Sequence, residues 1–180
     1  MGMKSHRRPL RLRGYDYASP GAYFVTVCTR KRECVFGEVA DGVMVANDAG
    51  RVVAEEWHRT FAVRNNSAMD EYVVMPNHFH GIVVLHDRRG TARRAPTMEG
   101  FGAPIAGSIP TIVRAFKSAV TKRINGLCGT PGASVWQRGY YEHIIRNENE
   151  WCRIRRYIAE NPACWGDDTE NPQRPGRGNS

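Results

Sequence analysis

The sequence predicts an α+β domain of the ferredoxin-like type. In this split βαβ arrangement an antiparallel sheet carries helices on one face, here with an added small hairpin and a C-terminal helix. Three observations lead there. Strand-like and helix-periodic segments follow one another as strand, hairpin, helix, strand, strand, helix, strand, helix, which without the hairpin is βαββαβ plus one helix. The 180 residues suit one domain, and a hydrophobic content of 41% supplies one core. Turn dipeptides such as Asp41-Gly42 and Pro76-Asn77 fall between the periodic segments.

Each element has its own reason. Residues 22–29 are rich in β-branched and aromatic side chains and read as a strand; 34–39 and 43–45 flank Asp41-Gly42 as a hairpin. Asn47 caps a helix to about Thr60, with Ala49, Val53, Trp57 and Thr60 on one face. Residues 68–75 and 79–85 are strands on either side of Pro76-Asn77. Ser108 caps a helix through Asn125-Gly126 with Ile109, Ile112, Val113, Phe116 and Val120 on its apolar face and Arg114, Lys117 and Thr121 opposite. A strand at 142–146 precedes a helix from about Asn149 to Glu160, which Asn161-Pro162 should stop. Such a sheet leaves its other face open to a ligand.

The flanks differ from this domain, placed at 15–165. Residues 1–14 form a basic arm with Lys4, Arg7, Arg8, Arg11 and Arg13, and the Gly-rich stretch 87–107 is a long loop carrying Arg88, Arg89, Arg93 and Arg94. Residues 166–180 have the composition of a disordered tail. The 26 Lys and Arg against 18 Asp and Glu leave a net charge of +8, which favours an anionic partner, nucleic acid ahead of membrane surface. No apolar run approaches the ~20 residues of a membrane span, and no secretory signal opens the chain, so a cytoplasmic location is expected. Five cysteines without a CxxC pair argue against a disulfide framework or a zinc ribbon.

His78-Phe79-His80 opens the second strand of the central pair, and period two points both imidazoles to one side. Two histidines hold a divalent ion weakly unless further ligands converge. On the last helix Tyr157 and Asn161 lie four residues apart, beside the apolar stripe of Trp151, Ile154 and Ile158. Taken alone these residues also suit a pair of surface histidines, a core tyrosine and a helix-ending asparagine.

Residues 72–83, Tyr-Val-Val-Met-Pro-Asn-His-Phe-His-Gly-Ile-Val, resemble the histidine-hydrophobe-histidine segment of the HUH-type single-tyrosine transposases. Trp136-Gln-Arg-Gly-Tyr-Tyr-Glu-His-Ile-Ile-Arg-Asn and Tyr157-Ile-Ala-Glu-Asn-Pro162 are similar to later blocks of the REP-associated tyrosine transposases, so the resemblance runs in order over about residues 15–165. It implies that His78 and His80 bind a divalent metal, Mg²⁺ or Mn²⁺, with Asn161 as third ligand. Tyr157 would be the nucleophile on the C-terminal helix, and the product a 5′-phosphotyrosyl intermediate with a free 3′-hydroxyl. Tyr140 and Tyr141 are rival hydroxyls without a partner like Asn161. The implied partner is single-stranded DNA with hairpin structure, held by a monomer or a homodimer.

Candidates for phosphate contacts are Arg11, Arg13, Arg114, Lys117, Arg153 and Arg156, with Arg155 beside them. Two other classes remain. A non-catalytic nucleic-acid binder of the same fold would need exposed aromatics on a strand, which Gly139-Tyr140-Tyr141 echoes faintly. A metal-dependent hydrolase would need an acid at the metal, where the two metal-bearing blocks supply no obvious one, although Glu160 lies beside Asn161.

Overall fold

The structure, a computed structural model, describes residues 15–87 and 105–174. Among the described residues six strands and three α-helices follow the expected order: β1 (Gly21–Cys28), β2 (Gly37–Ala40), β3 (Val43–Ala46), α1 (Asp48–Ala62), β4 (Ser67–Val74), β5 (His78–Leu85), α2 (Ile109–Cys128), β6 (Tyr141–Ile145) and α3 (Glu148–Glu160). β2 and β3 pair only with each other, and the other four form one sheet in the order β4-β5-β1-β6 with every neighbour antiparallel. The arm bearing Arg11 and Arg13, and the arginines of the long loop, lie outside the described residues. Among the described residues no helix is long and apolar enough to cross a membrane.

Local chemistry explains the boundaries. The Asn47 and Asn147 side chains accept hydrogen bonds from the Gly50 and Glu150 amides and so start α1 and α3. Ser108 stands at the N-terminus of α2, but its hydroxyl donates to the Ile105 carbonyl, meets the Thr111 hydroxyl at 3.2 Å and caps no helix amide. Pro110 in the first turn lowers the number of amides that need a cap there.

Strand alternation divides the core in two. Tyr23, Val25 and Val27 of β1 and Phe79, Val83 and Leu85 of β5 meet α1 and α2 through Trp57, Phe61 and Phe116. A Cβ on Gly81 would sit 2.7 Å from Trp57 and 2.9 Å from Phe79, so only glycine lets these rings close on the strand. Ala22, Phe24, Ile82 and Ile145 point the other way and bury Ile154 and Ile158 of α3. The face expected to stay open is therefore partly roofed by α3. Its remaining open part, towards Thr26 and His80, holds the site.

The disordered tail expected from residue 166 does not begin there. A short 3-10 turn at Trp165–Asp167 and the residues to 174 fold back onto the sheet. Asn171 is buried, Arg32 pairs with Glu170 at 2.9 Å, and the Asn77 amide donates to the Glu170 carbonyl. Composition does not reveal this because the segment is held by a few polar contacts to distant residues.

Candidate active site

His78 and His80 stand at the start of β5 on the face shared with α3, both buried, with ring centroids 4.5 Å apart. Asn77 orients the first. Its amide nitrogen donates to the carbonyls of Arg32 (3.0 Å) and Glu170 (2.8 Å), which leaves Oδ1 to accept from His78 Nδ1 at 2.9 Å. The proton of the neutral ring is thus on Nδ1, and Nε2 keeps its lone pair. The second ring bonds Thr26 Oγ1 through Nδ1 (2.8 Å) and turns Nε2 towards the Tyr157 hydroxyl at 3.3 Å. Burial lowers both imidazoles: His78 falls to about 4, with Asp168 opposing, and His80, further depressed by His78, lies well below the ordinary range. Both rings are neutral at neutral pH, the form in which an imidazole nitrogen can bind a metal.

Tyr157 and Asn161 come from the end of α3. Asp70, at an irregularity in the β4–β5 register between Met69 and Tyr72, holds this helix by binding Arg155 through both carboxylate oxygens and accepting from the Trp151 indole. His143 on β6 bonds Glu150 at 2.8 Å and ties the helix start to the sheet. Burial raises the Tyr157 phenol, Asp168 raises it further, and the Asn161 amide opposes both. The phenol is protonated at neutral pH and needs activation to act as a nucleophile.

Asn161 does not send the chain away, as a residue before proline usually would. It keeps helical angles (φ −56°, ψ −41°) and leads through a turn into the 3-10 segment. That path brings Asp168 back over the histidines, its Oδ2 3.8 Å from His78 Nε2. Ligand atoms of His78, His80 and Asp168 lie within 4.8 Å of one another. His78 Nε2, Asn161 Oδ1 and Asp168 Oδ2 are buried without a hydrogen-bond donor. Acceptors gathered in this way, two imidazoles, a carboxylate and an amide oxygen, are a donor set that fits a divalent ion. Asp168 places beside the histidines an acid that neither metal-bearing sequence block supplied. Its only sequence signal was an acidic residue seven positions after Asn161.

Beside Tyr157 opens a cleft of about 370 Å³ whose walls include Phe24, Thr26, Tyr141 and the Gln137-Arg138 loop. Of the expected cationic contacts, Arg114 and Arg156 are exposed with no ion pair among the described residues. Arg153 is exposed and 3.6 Å from Glu150. Lys117 is bound to the carbonyls of Gln137 and Gly139 and so supports the cleft loop. Arg155 is engaged by Asp70.

A protein of Haemophilus influenzae described as uncharacterized is 38% identical over 167 residues, 91% of this chain and 92% of its own length. No family model matches the chain. Among solved structures, that of a REP-associated tyrosine transposase bound to a REP hairpin superposes with a TM-score of 0.53 at 20% identity, over 91% of this chain and 75% of that one. This likeness is one of fold.

Proposed function

We propose that this chain, which belongs to one family with the Haemophilus influenzae protein, is a metal-dependent tyrosine transposase that cleaves and rejoins single-stranded DNA at hairpins. One observation carries the reading: the Tyr157 hydroxyl meets His80 Nε2 at the edge of a buried group of unpartnered acceptors from His78, Asn161 and Asp168. The strand order supports a ferredoxin-like core, and the shared fold with a hairpin-bound transposase agrees. All side chains of the site come from one chain, so the reading needs no partner subunit.

Tyr157 attacks the phosphorus; the bond to the 3′-oxygen breaks, leaving a 5′-phosphotyrosine and a 3′-hydroxyl. The proton lost by the phenol equals the one gained by the leaving oxygen. Because the phosphodiester is retained as an ester to tyrosine, rejoining needs no nucleotide cofactor. His78, His80, Asn161 and Asp168 would hold the divalent ion, Mg²⁺ or Mn²⁺. When bound, it supplies charge withdrawal from a non-bridging phosphate oxygen. Asn77 and Thr26 keep the two imidazoles in place, and Asp70 holds the helix that aims the tyrosine. Arg114, Arg153 and Arg156, with Arg11 and Arg13 of the arm, are proposed phosphate contacts; Lys117 contributes through the loop it supports.

The test is incubation of a labelled single-stranded hairpin with the protein and Mg²⁺ or Mn²⁺, followed by denaturation. A covalent adduct is expected from the wild type and none from Tyr157→Phe. Asp168 beside the histidine pair favours one second reading, a metal-dependent hydrolase. Cleavage that persists in Tyr157→Phe without an adduct would establish it.

A further inference from the structure

We infer that the cleft beside Tyr157 receives one unpaired nucleobase of the DNA strand, stacked on Tyr141, and so selects which phosphate reaches the nucleophile; this rests on the reading of Tyr157 above. Tyr141 and Tyr157 are 44% and 46% exposed, and both line the cleft. Among the described residues the other exposed large hydrophobics, Val43, Val45, Val63 and Leu127, are aliphatic and stand outside it. Tyr141 pairs with Thr26 on β1, and Thr26 pairs in turn with His80 on β5. The tyrosine ring therefore stands in one row with the metal-facing histidine, two strand spacings or ~10 Å away. That is the reach from a phosphate at Tyr157 to the base of an adjoining nucleotide.

The rest of the wall suits such an occupant. Phe24 meets Tyr141 edge-on, with centroids 6.3 Å apart, and fixes the plane against which a base can lie. Gln137 offers an amide donor and acceptor for a base edge, and Arg138 is exposed with no ion pair among the described residues. Glu170, the acid in the lining, is neutralised by Arg32 and does not repel a phosphate. Aromatic stacking with hydrogen bonding to one exposed edge is how proteins hold single-stranded bases, whereas a duplex offers no free face to a cleft of this size.

Binding of hairpin oligonucleotides by the full chain carrying Tyr157→Phe tests this without cleavage. A series of oligonucleotides has one abasic nucleotide moved along the single-stranded flank. One position is expected to cost about tenfold in affinity, the scale of one stacked base. Adding Tyr141→Ala should cost a similar factor on the intact hairpin and nothing further on that abasic one; Tyr141→Phe should bind as well as its parent. An even loss along the flank, or losses from Tyr141→Ala and the abasic site that multiply, would overturn the inference. The abasic series reads the contact even where Tyr141→Ala fails to fold. If the wild type forms no covalent adduct while this pattern holds, the transposase reading fails and the base site stands; an adduct with no preferred position sinks the base site alone.

Discussion

Asn77 has two amide hydrogens, and both are taken by backbone carbonyls, so the direction of its oxygen is not a free choice. That constraint passes to His78 and leaves Nε2 bare opposite Asp168. Groups that orient a ligand are commonly worth 10–100-fold in metal affinity. Asn77→Ala should accordingly weaken Mn²⁺ binding by about 10–100-fold, as read by calorimetric titration without DNA. Mn²⁺ should also bind more tightly than Mg²⁺, which prefers an all-oxygen shell.

The same burial sets a pH dependence. An unfolded histidine takes up a proton near 6.5, whereas His78 resists protonation down to about 4 because burial disfavours its charged form. The unfolded chain thus binds more protons between these values. This contribution to stability is complete above about pH 6.5 and is lost as pH falls towards 4. Urea midpoints of the metal-free protein should drop across that window, and less steeply in His78→Gln.

At the scale of elements, α3 is a short helix with only Ile154 and Ile158 fully buried, so polar anchors share in holding it. Asp70 is the chief of them. Burial acts to raise its pKa, but the bonds from Arg155 and Trp151 prevail and hold the carboxyl below its ordinary value. Asp70→Asn should destabilise the fold by about 1 kcal/mol, since a two-pronged surface pair with an added indole bond exceeds a simple ion pair. The sharper readout is faster amide exchange confined to residues 148–160. On the opposite face, Gly81→Ala should cost about 1–3 kcal/mol in chemical denaturation, because Trp57 and Phe79 cannot both move away from the new methyl group.

Most elements were legible in the sequence to within two or three residues, because strand alternation and helical periodicity are local. Ser108 marked a helix start although its hydroxyl turned elsewhere, and Asn161-Pro162 marked a helix end without disclosing that the chain would stay helical and turn back. A turn held by tertiary contacts leaves little trace in composition.

At the scale of the whole molecule, the net charge of +8 should make DNA binding salt-dependent. If Arg114 and Arg156 contact phosphates as proposed, Arg114→Ala or Arg156→Ala should each lower the slope of log affinity against log salt by about 0.7 for single-stranded DNA. Lys117→Ala should behave differently. Its ammonium holds the Gln137 and Gly139 carbonyls, so the loss should fall on the geometry of the cleft and change the slope little.

The sequence by itself determined the order of elements, the common side of His78 and His80, and the pairing of Tyr157 with Asn161 one helical turn apart, since each follows from a period of two or 3.6. Only the tertiary structure decided that α3 crosses the sheet face bearing the histidines. It alone decided that Asn77 orients His78 and that Asp168 returns from the supposed tail to complete the group. These contacts join residues 45 to 93 positions apart or depend on how a turn folds back, and no local period encodes such a meeting.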